Sequence, residues 1–188
     1  MKKLMSLFLL TVLLQIGTIN AQPAPEKEAD GYLSGEIVLA DNSTITGTVK
    51  DNIRKKGEIT VLRDGKKTKY KADEISSVRI GSSNYITNGY TFYEVLWQGT
   101  NLTLLRKANE PSGVRYIGAE PIVISNSEGD INDYFVKIKT DASLTLINAK
   151  NVRNVLKKLC GNCSITIDET KWDTAAIKKA LEDCDKCK

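Results

Sequence analysis

The chain has 188 residues, with 27 lysines and arginines, 23 aspartates and glutamates, four cysteines and no histidine. The absence of histidine excludes Ser-His-Asp and Cys-His catalytic sites, HExxH zinc sites and Cys₂His₂ zinc fingers. A charged fraction of 27%, a hydrophobic fraction of 41% and only four prolines are typical of a globular chain, not a disordered or fibrous one.

Residues 1–21 have the three parts of a secretory signal peptide. Lys2 and Lys3 form a basic start, an apolar run extends from Leu4 to Ile16, and Ala21 is the small residue before the expected cut. The run is too short to span the roughly 30 Å hydrocarbon layer of a bilayer, so cleavage is favoured over a retained anchor. We therefore expect export to the periplasm, the outer cell surface or the medium, with no transmembrane segment in the mature chain. No cysteine lies at the cut, so we expect no lipid anchor.

The net charge does not favour a nucleic-acid partner. Removal of Lys2 and Lys3 lowers it from +4 to +2. A nucleic-acid binder needs a concentrated basic face, preferably with aromatic side chains that stack on bases. The dense basic runs at 54–56 and 66–71 lie beside glycines, which is typical of solvated turns. We therefore predict no nucleic-acid partner.

A β domain is predicted for residues 31–147, after a polar, proline-bearing leader at 22–30. Short runs of period two indicate strands at 36–39, 44–49, 58–63, 67–71, 75–80, 92–97, 102–106, 114–117, 122–124, 134–139 and 144–147. Their spacing, with turn residues between them, indicates a small barrel or sandwich. The first part is predicted to be a strongly bent, SH3-like sheet, because Gly47 within a strand allows a corner.

Aromatic side chains are concentrated between residues 85 and 97. Phe92, Tyr93 and Trp97 lie in one predicted strand, so alternation places about half of its side chains in the core, and core packing is favoured. Exposed aromatic rings can also stack on sugars or anchor a protein partner. Tyr85 and Tyr90 are therefore the candidate ligand-binding residues, and a carbohydrate-binding module is one alternative function.

The C-terminal segment, residues 148–188, changes to the helical period. One apolar stripe predicts a helix over 148–159, and Asp173 is placed to cap a second helix over 174–184. The stripes of the two helices consist of Val152, Val155, Leu156 and Leu159, and of Ala176, Ile177, Ala180, Leu181 and Cys184. We expect this two-helix tail to pack on the β domain.

Each predicted helix ends in a CxxC motif, at Cys160 and Cys163 and at Cys184 and Cys187. Three chemistries compete for these residues. Four thiolates could hold zinc at this spacing. A redox role would make Cys160 and Cys163 the thiol–disulfide exchange site. Such a site requires the motif at the start of a helix, where the helix dipole lowers thiol pKa values. Structural disulfides need only an oxidising compartment, which the signal peptide implies, and are favoured.

The geometry of the tail allows the two motifs to pair with each other. The connector at 164–172 reaches at most about 30 Å when extended. The second helix runs back about 16 Å along its axis towards the first motif, so the two CxxC motifs can come into contact. Cys184 and Cys187 lie on neighbouring faces of one helical turn. We predict disulfides Cys163–Cys187 and Cys160–Cys184, each closing a loop worth about 3 kcal/mol in the chain-entropy estimate.

The sequence resembles a loosely defined group of exported, β-rich, uncharacterised proteins of Bacteroidota-type bacteria. The matching features are the Lys-Lys signal with Ala21-Gln22, the opening at 35–49 with Gly47, and the cysteine-ending tail. In that group the tail resembles helix, Cys, connector, helix, Cys, which Cys163 and Cys187 match. This chain adds Cys160 and Cys184. The resemblance implies fold and location, with no activity to transfer.

The function predicted from these features is that of an exported, non-enzymatic protein of the cell envelope or medium. It would bind another envelope component or an external ligand, and we expect no catalytic residues and no cofactor. Two alternatives stay open beside it, namely carbohydrate binding through Tyr85 and Tyr90, and zinc binding or thiol–disulfide exchange through the two CxxC motifs.

Overall fold

The computed structural model describes residues 31–110, 115–117, 120–122, 129–141, 143–161, 163, 165, 167 and 172–187. The predicted signal peptide and leader, residues 1–30, lie outside this part of the chain, as does most of the predicted strand at 122–124. The described strands are β1 (Tyr32–Leu39), β2 (Thr44–Asn52), β3 (Glu58–Arg63), β4 (Lys66–Lys71), β5 (Ile75–Ile80), β6 (Ser83–Thr87), β7 (Phe92–Gln98), β8 (Leu102–Lys107), β9 (Arg115–Ile117), β10 (Glu120–Ile122), β11 (Tyr134–Ile138) and β12 (Leu144–Ile147). The helices are α1 (Ile53–Lys56), α2 (Val152–Cys160) and α3 (Thr174–Lys186).

Ten of these strands form one antiparallel sheet in the order β12-β11-β8-β7-β6-β5-β1-β2-β3-β4, and β9 pairs with β10 separately. The predicted class, mainly β with a disulfide-bonded two-helix tail, is confirmed. Strand β6 was not predicted, because Tyr85 and Ile86 are its only large apolar residues and give no clear period.

The two basic runs lie in different elements. Residues 54–56 belong to the single-turn helix α1, which ends at Gly57 in the left-handed conformation (φ 61°). Residues 66–71 form the edge strand β4, so the strand predicted at 67–71 is confirmed, and the run is a solvated strand rather than a turn, with all four of its lysines exposed. Lysines along an edge strand oppose pairing with another chain.

Close packing around β1 requires a glycine at position 35. Gly35 lies opposite Gly47 and beside Ile80. A Cβ at Gly35 would lie 2.5 Å from Cγ2 of Val49 and 2.7 Å from the carbonyl oxygen of Arg79, both well inside contact distance. At Gly47, where the sequence predicted the corner, the nearest atom would be 3.3 Å away. The tightest approach is therefore at Gly35.

Three apolar clusters form the core. The first lies within the curled part of the sheet, where Ile37, Val49 and Ile59 meet Phe92 of β7. The second lies between the tail helices and strands β8, β11 and β12. The third, on the opposite face, contains Tyr93, Leu105 and Phe135. Strand β7 is thus buried on both faces, and a bulge between Val95 and Trp97 breaks its alternation so that Leu96 and Trp97 both pack against the helix side.

The tail helices follow the predicted stripes closely. Asp173 caps α3 by accepting a hydrogen bond of 2.7 Å from the backbone N–H of Ala176. Helix α2 begins at Val152, four residues later than predicted, because the Asn148 side chain accepts hydrogen bonds from the N–H groups of Lys150 and Asn151 and forms a turn instead.

Asp185, inside the second CxxC motif, fastens α3 to the turn between β7 and β8. Its carboxylate accepts hydrogen bonds from the backbone N–H groups of Thr100 (2.6 Å), Asn101 (2.8 Å) and Leu102 (3.1 Å). A Cβ at Gly99 would overlap Oδ2 of Asp185 and the ring of Trp97. The turn therefore needs glycine at this position to admit the carboxylate.

Replacement of Asp185 by alanine should lower the free energy of unfolding by about 2 kcal/mol, because three N–H groups lose a charged acceptor. Asp183→Ala is the matched control, since Asp183 is an exposed aspartate two residues away on the same helix. Urea denaturation with both disulfides intact measures the difference. Equal losses in the two variants would show that the Asp185 contact contributes nothing specific.

Candidate functional site

The four cysteines form the two predicted disulfides, Cys160–Cys184 and Cys163–Cys187. Cys160 is the last residue of α2, and Cys187 follows the last residue of α3. Each bond joins residues 24 apart in the sequence. Once either bond has formed, the other closes only a small ring, so its entropic contribution is smaller than that of the first.

The pairing bears on the zinc and redox alternatives. The two cysteines of each CxxC belong to different disulfides, so neither motif forms the internal bond of a dithiol redox site. In this arrangement no cysteine sulfur is left as the thiolate that zinc would require. The described residues also contain no group of three or more His, Cys, Asp or Glu placed to hold a metal ion.

The two disulfides differ in exposure. Cys160 and Cys184 are 5% and 0% exposed within the core between helices and sheet. Cys163 is half-buried and Cys187 is exposed. The inner bond is therefore part of the packed core, whereas the outer bond is open to a reductant in solution.

A second candidate site is a cleft of about 480 Å³ beside β2 and α1. In the part of the chain that the structure describes, it is lined by residues 50–55 of β2 and α1 and by Tyr85, Glu94, Arg106 and Ala108. Its volume is within the range of roughly 300–1,000 Å³ that is usual for small-ligand sites. We refer to it as the Tyr85 cleft.

Four side chains in register across neighbouring strands connect this cleft to the tail. Tyr85 pairs with Glu94, Glu94 with Arg106, and Arg106 with Tyr134. Paired residues of antiparallel strands point to the same face. The Tyr134 hydroxyl lies 2.7 Å from Oγ1 of Thr174, the first residue of α3. The row therefore runs from the cleft to the start of the last helix.

The polar groups of the cleft hold one another in place. The Tyr85 hydroxyl donates a hydrogen bond of 3.2 Å to Oδ2 of Asp51, whose other oxygen accepts from the N–H of Ile53 at 2.8 Å. Nε and Nη2 of Arg106 both donate to Oε2 of Glu94, at 3.1 and 2.5 Å. Because each acidic group has a partner, the cleft has a defined arrangement of donors and acceptors.

Burial dominates the electrostatics of Tyr85. Its side chain is only 9% exposed, and loss of solvation raises the pKa of its hydroxyl to about 12, with the negative charges of Asp51 and Glu94 adding to the rise. The phenol is therefore neutral and a hydrogen-bond donor at physiological pH. Its ring lacks the open face that stacking on a sugar would need.

The structure does not bring the two predicted ligand-binding tyrosines together in this cleft. Tyr90 belongs to the turn between β6 and β7, where its N–H donates to Oδ1 of Asn88, and it is not among the described residues that line the cleft. Asp51, Glu94 and Arg106, which line the cleft, were not among the predicted site residues. A signal for the last two was present, because strands predicted at 92–97 and 102–106 form a hairpin that places residues 94 and 106 opposite each other.

The ionisation of Tyr85 should make stability depend on alkaline pH. The folded pKa of about 12 exceeds the unfolded value of about 10, so the stabilisation is complete below pH 10 and is lost as pH rises towards 12. Over that interval, the stability advantage of the native protein over Tyr85→Phe should fall by about 2–3 kcal/mol. Denaturation of both proteins at several pH values measures it. A pH-independent difference would contradict the prediction, and a tyrosinate absorbance titration checks the pKa directly.

The chain matches no protein-family model, no curated protein sequence and no solved structure. Of the helices that the structure describes, none has the length and apolar character needed to cross a bilayer. A function therefore has to be argued from the geometry of the site itself.

Proposed function

We propose that this protein is exported and acts without catalysis, by binding another envelope component or an external ligand in the Tyr85 cleft. The observation that carries the proposal is the ordered polar lining of a ligand-sized cleft, in which Asp51 holds Tyr85 and Glu94 holds Arg106. Ligand sites characteristically combine a concave surface with a few fixed polar groups.

The disulfides support the export part of the proposal. Two disulfides that join the tail helices are compatible with an oxidising compartment, such as the periplasm or the cell exterior. The basic start, apolar run and Ala21 at residues 1–21 independently suit passage to that compartment.

The chemistry of the cleft supports binding over catalysis. A general base works best when its pKa is near the operating pH, and burial moves that of Tyr85 away from neutrality, to about 12. Asp51 and Glu94 already accept hydrogen bonds from Tyr85 and Arg106. These groups are therefore arranged to orient a bound molecule, and no nucleophile–base pair is among them.

Export predicts a mature chain that starts at Gln22 and contains both disulfides. Expression of the full chain in a Gram-negative host, followed by fractionation, N-terminal sequencing and thiol alkylation, tests this. The expected result is a processed protein outside the cytoplasm with no alkylatable thiol. An unprocessed chain in the cytoplasm with four alkylatable thiols would overturn the export proposal.

Ligand binding is tested by heteronuclear NMR on the disulfide-bonded protein with a panel of neutral oligosaccharides, acidic oligosaccharides, dipeptides and nucleotides. We expect at least one class to shift the amide signals of Asp51, Tyr85 and Arg106 while those of the edge strand β4 stay unchanged. Arg106→Met should abolish these shifts. Arg79→Met should leave them intact, because Arg79 forms the comparable cross-strand pair with Glu36 outside the cleft. If no class shifts the cleft signals, the proposed function fails.

A further inference from the structure

We propose that the Tyr85 cleft binds an acidic sugar, with Arg106 pairing with its carboxylate. This inference rests on the proposed function and adds the chemical class of the ligand. It follows from three observations on the lining side chains: the balance of charge, the geometry of the Arg106 guanidinium, and the mixture of donors and acceptors.

The charge balance of the cleft favours an anionic ligand. Among the described lining residues, four side chains are cationic (Lys50, Arg54, Lys55 and Arg106) and two are anionic (Asp51 and Glu94). The ammonium of Lys50 lies 5.6 Å from the ring centroid of Tyr32, and without it the cations still outnumber the anions. Glu94 pairs with Arg106, and Arg54 donates a hydrogen bond of 2.9 Å to the neutral amide oxygen of Asn132, which leaves the charge of Arg54 uncompensated. The described lining as a whole therefore carries a net positive charge.

The contacts of Arg106 with Glu94 involve one edge of its guanidinium and leave donors on the other side of the group. Nε and Nη2, on one edge of the Arg106 guanidinium, both donate hydrogen bonds to the same Glu94 oxygen, Oε2. The end of the same planar fork, formed by its two Nη atoms, matches the two oxygens of a carboxylate. The Arg106 side chain is 32% exposed, so a ligand in the cleft can reach it.

The remaining groups suit a hydroxyl-rich molecule. Asp51 is exposed and has lone pairs beyond those used by Ile53 and Tyr85. Asn52 also lines the cleft, and its amide nitrogen donates a hydrogen bond of 3.2 Å to Oγ1 of Thr60. Sugar hydroxyls both donate and accept, so they fit a lining that offers carboxylate, amide and phenol groups together. Because Tyr85 is 9% exposed, its ring offers no open platform for stacking on either a sugar ring or a nucleobase, so the sugar would be held through its hydroxyls and its carboxylate.

The experiment compares uronic-acid oligomers with their own methyl esters, in which the charge is removed and the sugar is kept. Isothermal titration uses oligomers of galacturonate, glucuronate and mannuronate with the intact disulfide-bonded protein. We expect one of the acids to bind at least tenfold more tightly than its ester. Arg106→Met should remove that preference, whereas Arg79→Met should retain it, since Arg79 pairs with Glu36 away from the cleft. Added salt should weaken acid binding more than ester binding.

Each other outcome overturns a distinct part of the proposal. If an ester binds in the cleft as tightly as its acid, or only neutral sugars bind, the ligand class is wrong while the proposed function stands. If inorganic sulfate or phosphate binds as tightly as the oligomers, the sugar part is wrong. If no acid binds, the inference fails, and the NMR panel decides separately whether the cleft binds anything. Should Arg106→Met fail to fold, Arg106→Lys keeps the charge without the fork and should still lose most of the preference.

Discussion

The turn between β7 and β8 is where the C-terminal helix is fastened to the sheet. The Asp185 carboxylate accepts three backbone hydrogen bonds there, and Gly99 leaves the space that it needs. Disulfides from Cys184 and Cys187 join the C-terminal end of the same helix to residues at and just after the end of α2. The apolar side of α3 covers the core cluster on β8, β11 and β12. The attachment of α3 at this turn therefore keeps that cluster buried. A helix of 13 residues is marginal alone, so its stability must come from such tertiary attachment.

The β7–β8 hairpin also contains Glu94 and Arg106 of the candidate site. A short chain of contacts connects these residues to the tail. Glu94 and Arg106 lie on β7 and β8, between the fastened turn and the far end of the hairpin. Arg106 is in register with Tyr134, whose hydroxyl contacts Thr174 at the start of α3 and whose ring meets Trp172 edge-on at 6.2 Å. The strands that position the guanidinium are therefore held at one side by the tail.

Sequence reasoning succeeded where the determining contacts are local. The helical stripes, the Asp173 cap and the disulfide pairing each depend on spacings within a few turns or one connector, and the structure reproduces them. It failed where the determining contacts join segments that are far apart in the sequence. Tyr85 meets Asp51 only because the sheet curls and brings β2 over β6, so no local pattern marks the pair. Asp185 lies inside a CxxC motif, and its three partners are more than 80 residues away, so no local pattern marks its role.

The division between stability and recognition follows from where the charges lie. A cross-strand ion pair as accessible as Glu94 and Arg106, whose side chains are 23% and 32% exposed, contributes little to folding. Burial of the Tyr85 hydroxyl, together with the negative charges of Asp51 and Glu94, raises its pKa to about 12. The hydroxyl therefore stays neutral and remains a hydrogen-bond donor. The three apolar clusters and the two disulfides stabilise the fold largely apart from these polar contacts, although the ring of Tyr85 itself belongs to the first cluster. A fold stabilised elsewhere can maintain an open cleft with an oriented guanidinium, and recognition of an anion is the use that this geometry favours.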